Sequence, residues 1–265
     1  MKKQFNRLAI ILVLAVAGLP VSAQTDSAWY CQPCQGDCDT IACAAAGTCV
    51  HCGMALVKQP KKKFNKTTPT KKMNILFYLQ EGVEVLDFAG PMEVFANAGF
   101  TVSIVSKTKS PVTSQGILKI IPDYSIDDAP AADILAFFGG NSGNASNDPM
   151  VINWIKTQPA PAYYFSVCSG AFILGKAGLL DHLTATTFHA SIESLKKACP
   201  RTTVLSNVRF VDNGHIITTA GVSAGIDGAL HLVAKIKGEK MASQVAAYME
   251  YDKWVPGQGL VVQNP

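Results

Sequence analysis

From Asn74 onward the chain alternates short apolar runs with stretches of helical period. Asn74-Ile75-Leu76-Phe77-Tyr78-Leu79 is apolar almost throughout, as expected of a strand buried on both faces. Residues 101–106, 134–138 and 162–167 read as further strands of the same kind. A helix is expected over 91–98, with Pro91 at its start, where a missing N–H costs nothing. Another is expected near 149–157. Phe210-Val211-Asp212-Asn213-Gly214-His215-Ile216 sets Asn-Gly between apolar flanks, a hairpin signal. Helices near 224–236 and 239–251 close the pattern. Alternation of this type predicts an α/β domain, a parallel-rich sheet covered by helices on both faces, spanning residues 73–252. About 180 residues are enough to bury a single core.

Within that pattern, Tyr163-Tyr164-Phe165-Ser166-Val167 runs straight into Cys168-Ser169-Gly170, and a helix-forming run begins at Ala171. This is the pattern of a strand-to-helix elbow, whose tip residue is pushed out of the sheet. A thiol at the start of a helix also sits at the positive end of the helix dipole, which favours the thiolate. Cys168 is therefore a candidate nucleophile; a buried structural cysteine is the alternative from this residue alone. Gly139-Gly140 ends a strand in a turn able to aim an N–H inward, and with the Ser169 N–H it can form an oxyanion hole. Asp87 follows the first strand and is a candidate general acid or base. Taken singly, Asp87 also suits a helix cap, Gly139-Gly140 a plain turn and Ser169 an N-cap.

The segment before residue 73 has a different character. Met1-Lys2-Lys3-Gln4-Phe5-Asn6-Arg7 is basic, Leu8 to Leu19 is apolar, and Val21-Ser22-Ala23 suits cleavage. Residues 1–23 read as a signal peptide, which places the mature chain in the periplasm or outside the cell, with no stable membrane span after cleavage; an uncleaved anchor is the alternative. Six of the eight cysteines then fall between Cys31 and Cys52. The pairs Cys31-x-x-Cys34 and Cys49-x-x-Cys52, 14 residues apart, offer four thiolates in zinc-ribbon spacing, so residues 24–57 are expected to hold Zn²⁺ or another heavy metal. Cys38 and Cys43 are left for a disulfide, and His51 and Met54 as spare soft ligands. Disulfides in place of any metal remain the alternative. Gly47-Thr48-Cys49-Val50-His51-Cys52-Gly53-Met54 resembles the heavy-metal-binding domain of exported metal-efflux components. That family carries Met-His where this chain has Pro33-Cys34.

Seven lysines and two prolines over residues 58–72 indicate a solvated linker. It and the basic start carry most of the net charge of +4, which therefore says little about substrate. The linker has no aromatic interleaving, and no nucleic-acid partner is expected. Residues 253–265 read as a C-terminal tail.

Several motifs fall in a fixed order: the strand at 74–79, Val85-Leu86-Asp87-Phe88-Ala89-Gly90-Pro91, Asp133-Ile134-Leu135-Ala136-Phe137-Phe138-Gly139-Gly140, the Cys168 elbow, Ala185-Thr186-Thr187-Phe188-His189, and Thr219-Ala220-Gly221-Val222-Ser223-Ala224-Gly225. Together they resemble the DJ-1/PfpI superfamily, and within it the isonitrile hydratase-like group. The resemblance implies a flavodoxin-like fold, a homodimer, no cofactor in the α/β domain, and a small-molecule substrate or ligand. It implies a pocket with Cys168 as nucleophile, Asp87 beside it sharing a proton, Gly140 and Ser169 as N–H donors, and the Ser169 hydroxyl positioning water or substrate. Peptidase-like members have His after the cysteine, where this chain has Ser169. Deglycase-like members pair the cysteine with Glu and a later His, whereas Asp87 fits the hydratase pattern better. Glyoxalase or deglycase chemistry and a non-catalytic ligand, redox or metal sensor are the competing functions. His189 has no fixed role; His182, His215 and His231 read as scaffold or surface, and Cys199 as a lone structural thiol.

Overall fold

A computed structural model describes residues 27–31, 41–50, 53–60 and 73–262. The chain divides into two units, residues 1–70 and 71–265. In the first, β1 (Ser27–Tyr30) and β2 (Val57–Pro60) pair antiparallel. Lys58-Gln59-Pro60, expected to begin the linker, is thus strand. Tyr30, Cys31 and Cys49 are buried there, with Met54 and Leu56 against the two cysteines. Cys34, Cys38, His51 and Cys52 lie outside the described residues, as do the expected signal peptide and the rest of the linker.

In the second unit the chain runs β3 (Asn74–Tyr78), α1 (Val85–Asn97), β4 (Thr101–Ser106), β5 (Val112–Ser114), β6 (Leu118–Ile120), β7 (Tyr124–Ser125), β8 (Ile134–Phe137), α2 (Gly143–Ser146), α3 (Pro149–Thr157), β9 (Tyr163–Val167), α4 (Ala171–Lys176), β10 (Thr184–Ala185), α5 (Ile192–Ala198), β11 (Thr203–Val204), β12 (Phe210–Asp212), β13 (Ile216–Thr219), α6 (Ala224–Lys237), α7 (Glu239–Tyr248) and β14 (Leu260–Val261). Among the described residues one sheet has the order β14-β12-β13-β9-β8-β3-β4-β7. It is parallel except at the β12–β13 hairpin, whose turn contains Asn213-Gly214 with Gly214 at φ +90°. This is the parallel-rich α/β sheet expected from the alternation of apolar runs, in the flavodoxin-like form that the family resemblance implies.

The apolar strands are buried on both faces because each side chain serves the layer its parity dictates. Ile75, Phe77, Ile134, Ala136, Phe165 and Val167 pack in the layer that includes residues of α1, α6 and α7. Leu76, Tyr78, Leu135 and Phe137 pack in the other, with residues of α3, α4 and α5. Among the described residues no helix is long and apolar enough to cross a membrane.

Two local readings change. Pro91 lies inside α1, which begins at Val85, so the proline breaks the helical ladder instead of opening it. The interruption is tolerated where packing holds the helix: Gly90 faces Ile226 of α6 so closely that a β-carbon there would lie 2.7 Å from its Cγ1. Within the expected C-terminal tail, residues 253–262 also hold structure, since β14 pairs parallel with β12 and Trp254 packs on the core. Apolar residues spaced among Pro256, Gly257 and Gly259 give no period from which to predict an edge strand.

Candidate functional site

Four neighbouring parallel strands end together. Tyr78 of β3 is level with Phe137 of β8, Phe137 with Ser166 of β9, and Val167 with Thr219 of β13. The segments just past these ends (Leu79-Gln80, Phe138-Gly139-Gly140, Cys168, and Ala220 to Ser223) build the site, at the carboxyl edge where open α/β sheets bind ligands.

Cys168 occupies a sharp elbow. Its φ is +58°, a left-handed conformation that costs a non-glycine residue of order 1–3 kcal/mol. Several contacts hold it there. Its N–H donates to Ala220 O (3.1 Å), and its carbonyl accepts from the buried Thr187 hydroxyl (2.7 Å). The next turn packs so tightly that a β-carbon on Gly170 would lie 2.4 Å from Phe137 O. Strain at the tip is therefore imposed by the strand end and offset by these bonds.

Asp87 is fully buried in the first turn of α1. It does not cap that helix. Its Oδ2 accepts from Gly139 N (2.8 Å) and its Oδ1 from Val222 N (3.0 Å), so the carboxylate reaches across to two other strand ends. Gly139 separates it from the elbow by very little: a β-carbon on Gly139 would lie 2.7 Å from Asp87 Oδ2, 2.7 Å from Cys168 Cβ and 2.8 Å from Cys168 Sγ. Carboxyl and thiol thus meet over a bare glycine and share a hydrogen bond. The backbone N–H groups of Ser169 and Gly140 also point at the Cys168 sulfur. The Ser169 hydroxyl is turned to Gly140 O (3.4 Å), where it braces the turn. Gly140 itself has φ +79°, and any side chain there would meet Gly82 O. The four candidate residues, Cys168, Asp87, Ser169 and Gly140, therefore converge.

Electrostatics differ from the thiolate expected at a helix start. Burial pushes Asp87 up to about 6, against the two backbone N–H bonds that favour its charge. Burial and the neighbouring Asp87 charge push the Cys168 thiol up to about 12, although the Ser169 and Gly140 N–H groups pull the other way. The dipole of α4, only six residues long, does not offset them. At neutral pH the pair is a neutral thiol donating to a carboxylate, one proton held between two bases.

Linkage gives this a sign. Asp87 binds its proton more tightly folded than unfolded, so between about pH 4 and 6 the native state holds more protons and stability falls as pH rises. The cost amounts to at most about 3 kcal/mol above that window. Asp87→Asn loses one of the two N–H bonds at every pH but is spared the ionisation. Its stability relative to the unaltered protein should therefore climb from pH 4 to 7 in urea unfolding, and a flat difference would show that Asp87 ionises freely.

Residues not singled out from sequence complete the frame. Val222 has φ +54°, an outlier for a β-branched residue, and the strained turn aims its N–H at Asp87. The ring of Phe188 lies against Gly221, where a β-carbon would come within 2.4 Å of it. Thr187 and Val222 lie within the Ala185–His189 and Thr219–Gly225 motifs, but nothing in their neighbours marks a hydroxyl bonded to the elbow or a left-handed valine. His189 packs its ring on Phe188 (4.2 Å) in a short helical turn. His231 is scaffold, bonded to the buried Asp212 (2.8 Å). Cys199 is a buried thiol closed over by Gly175.

Comparison with known proteins gives a consistent result. The profile of the DJ-1/PfpI family matches residues 73–235. Isonitrile hydratase of Pseudomonas putida is 35% identical over 182 residues, which cover 68% of this chain and 78% of that protein. The Parkinson disease protein 7 homolog of Danio rerio is 28% identical over 179 residues, 65% of this chain and 94% of that one. Among solved structures, a ThiJ/PfpI family protein from Pseudomonas syringae superposes with a TM-score of 0.65 at 30% identity, covering 73% of this chain and 84% of that one.

Proposed function

This chain belongs to the DJ-1/PfpI family, and on that premise we propose that it is a cysteine-dependent hydratase of small molecules, with isonitriles as the first substrate class to test. The observation that carries the reading is the neutral thiol of Cys168 hydrogen-bonded to a carboxylate whose own affinity for protons lies just below neutrality. An isonitrile carbon needs both a nucleophile and a proton, and this pair offers both from one place.

The chemistry balances as an addition of water. Cys168 Sγ attacks the terminal carbon while Asp87 takes the thiol proton and delivers it to that carbon, forming a thioimidate. Water then adds to the same carbon, losing a proton through Asp87 to the nitrogen. Collapse of the tetrahedral adduct breaks the C–S bond and releases an N-substituted formamide. The departing sulfur recovers a proton, its charge meanwhile met by the Ser169 and Gly140 N–H groups.

The same neutral thiol argues against oxidation sensing as the primary role, because oxidants attack exposed thiolates, and Cys168 is 7% exposed. Deglycase-type chemistry pairs the cysteine with a glutamate and a later histidine, whereas the groups hydrogen-bonded to the Cys168 thiol here are the Asp87 carboxylate and the Ser169 and Gly140 N–H groups. Incubation with aliphatic and aromatic isonitriles, monitored by NMR, should reveal the matching N-formamides at the rate isonitrile disappears. Loss of methylglyoxal or of small amides without any formamide would overturn the reading.

A further inference from the structure

Arg209, the residue before β12, serves the loop between β13 and α6 from both its main chain and its side chain. Its carbonyl accepts from Ala220 N (2.9 Å), and Ala220 O in turn accepts from Cys168 N (3.1 Å). Its guanidinium crosses to the first turn of α6. There Nε donates to Asp227 Oδ2 (2.6 Å), and Nη2 pairs with the same oxygen. Asp227 is buried, and its other oxygen accepts from the Tyr251 hydroxyl (2.9 Å). The Arg209 side chain itself is partly exposed.

Gly221, Val222 and Ser223 lie between these two anchors. A left-handed backbone is uphill for valine and persists only where its surroundings over-determine it. Ala220 is fixed at one end of the turn and the start of α6 at the other. Val222 is thereby held at φ +54°, with its N–H on Asp87 Oδ1 (3.0 Å).

We infer that Arg209 is a positioning residue for the Cys168–Asp87 pair: its ion pair with Asp227 holds the turn that aims the Val222 N–H at Asp87. The guanidinium acts through the backbone and bonds neither reacting group. The inference concerns the pair on which the proposed hydration rests, but its test needs no substrate, so the two readings fail separately. Besides Cys168, the charged group felt at Asp87 among the described residues is Glu84, which accepts from the Gln115 amide.

Asp227→Asn keeps the size of the side chain and an acceptor for Tyr251 but removes the ion pair. With the turn released, the Val222 N–H leaves Asp87, and a carboxylate that loses a donor holds its proton more tightly. Charge alone works the other way, because a negative charge is lost and the Arg209 guanidinium is left unpaired. Carbon-13 NMR of the Asp87 carboxyl in the full chain should show its titration midpoint, about 6 in the unaltered protein, raised by at least about half a pH unit. Arg209→Met combined with Asp227→Asn leaves no charge unpaired; it should raise the midpoint too, and it carries the test if Asp227→Asn alone does not fold. Tyr251→Phe leaves the ion pair in place and should leave the midpoint where it was. An unchanged or lowered midpoint in either folded Asp227→Asn protein overturns the inference. An equal rise in Tyr251→Phe also overturns it, since any loosening of α6 would then suffice.

Discussion

Cys168→Ser should remove hydration of a responsive isonitrile by at least about a thousandfold, the scale seen when a covalent nucleophile is lost. The substitution changes little else. Serine tolerates the left-handed φ of +58° as well as cysteine does, and the Thr187 and Ala220 bonds that hold the elbow are to its backbone. A hydroxyl is far less acidic than a thiol, and at the same burial Asp87 cannot draw its proton at neutral pH. The unfolding midpoint should stay near that of the unaltered protein while turnover, read as formamide by NMR, disappears. Turnover within tenfold of the unaltered protein would assign catalysis to another group.

Gly139→Ala should lower the same activity by about a hundredfold or more, although alanine adds no polar group and takes none away. The methyl has nowhere to go: within 2.8 Å it would meet Asp87 Oδ2, Cys168 Cβ and Cys168 Sγ. Neither neighbour yields easily. Asp87 is held by Gly139 and Val222, and Cys168 by the elbow. The pair must part, and a displacement of about 1 Å between reacting groups is enough for a loss of that size. Overpacking of this kind also costs about 1–3 kcal/mol of stability. Crucially, thiol alkylation by a small reagent should survive, since the sulfur is still present. Full activity would mean that Asp87 and Cys168 need not touch.

Much of this site is legible in the sequence because its chemistry sits on elements with strong local signals. The apolar run ending in Cys168-Ser169-Gly170 announces the elbow, and Gly139-Gly140 the turn opposite. Asp87 is less legible: by local rules it fits a helix cap, and only the tertiary fold turns its carboxylate toward Gly139 and Val222. Charge state is not readable at all. A helix start suggests a thiolate, but proton affinity at Cys168 is decided by burial and by a carboxylate 81 positions away in the chain. Pro91 shows the same limit from the other side, since a local preference for the first turn gives way to packing of α1 on α6. The strained Val222 carries no pattern in one dimension, because it is defined by what lies across from it in space.

One proton shared between Cys168 and Asp87 underlies the proposed chemistry. Its most direct measurement is the pH dependence of Cys168 alkylation by iodoacetamide in the folded, reduced protein, compared between the unaltered chain and Asp87→Asn. The buried charge of Asp87 holds the thiol proton on, so removing that charge should lower the thiol's affinity for its proton. Asp87→Asn is therefore predicted to alkylate at least tenfold faster near pH 8, with its rate profile moved to lower pH. Superimposable profiles, or a slower Asp87→Asn protein, would contradict the coupling.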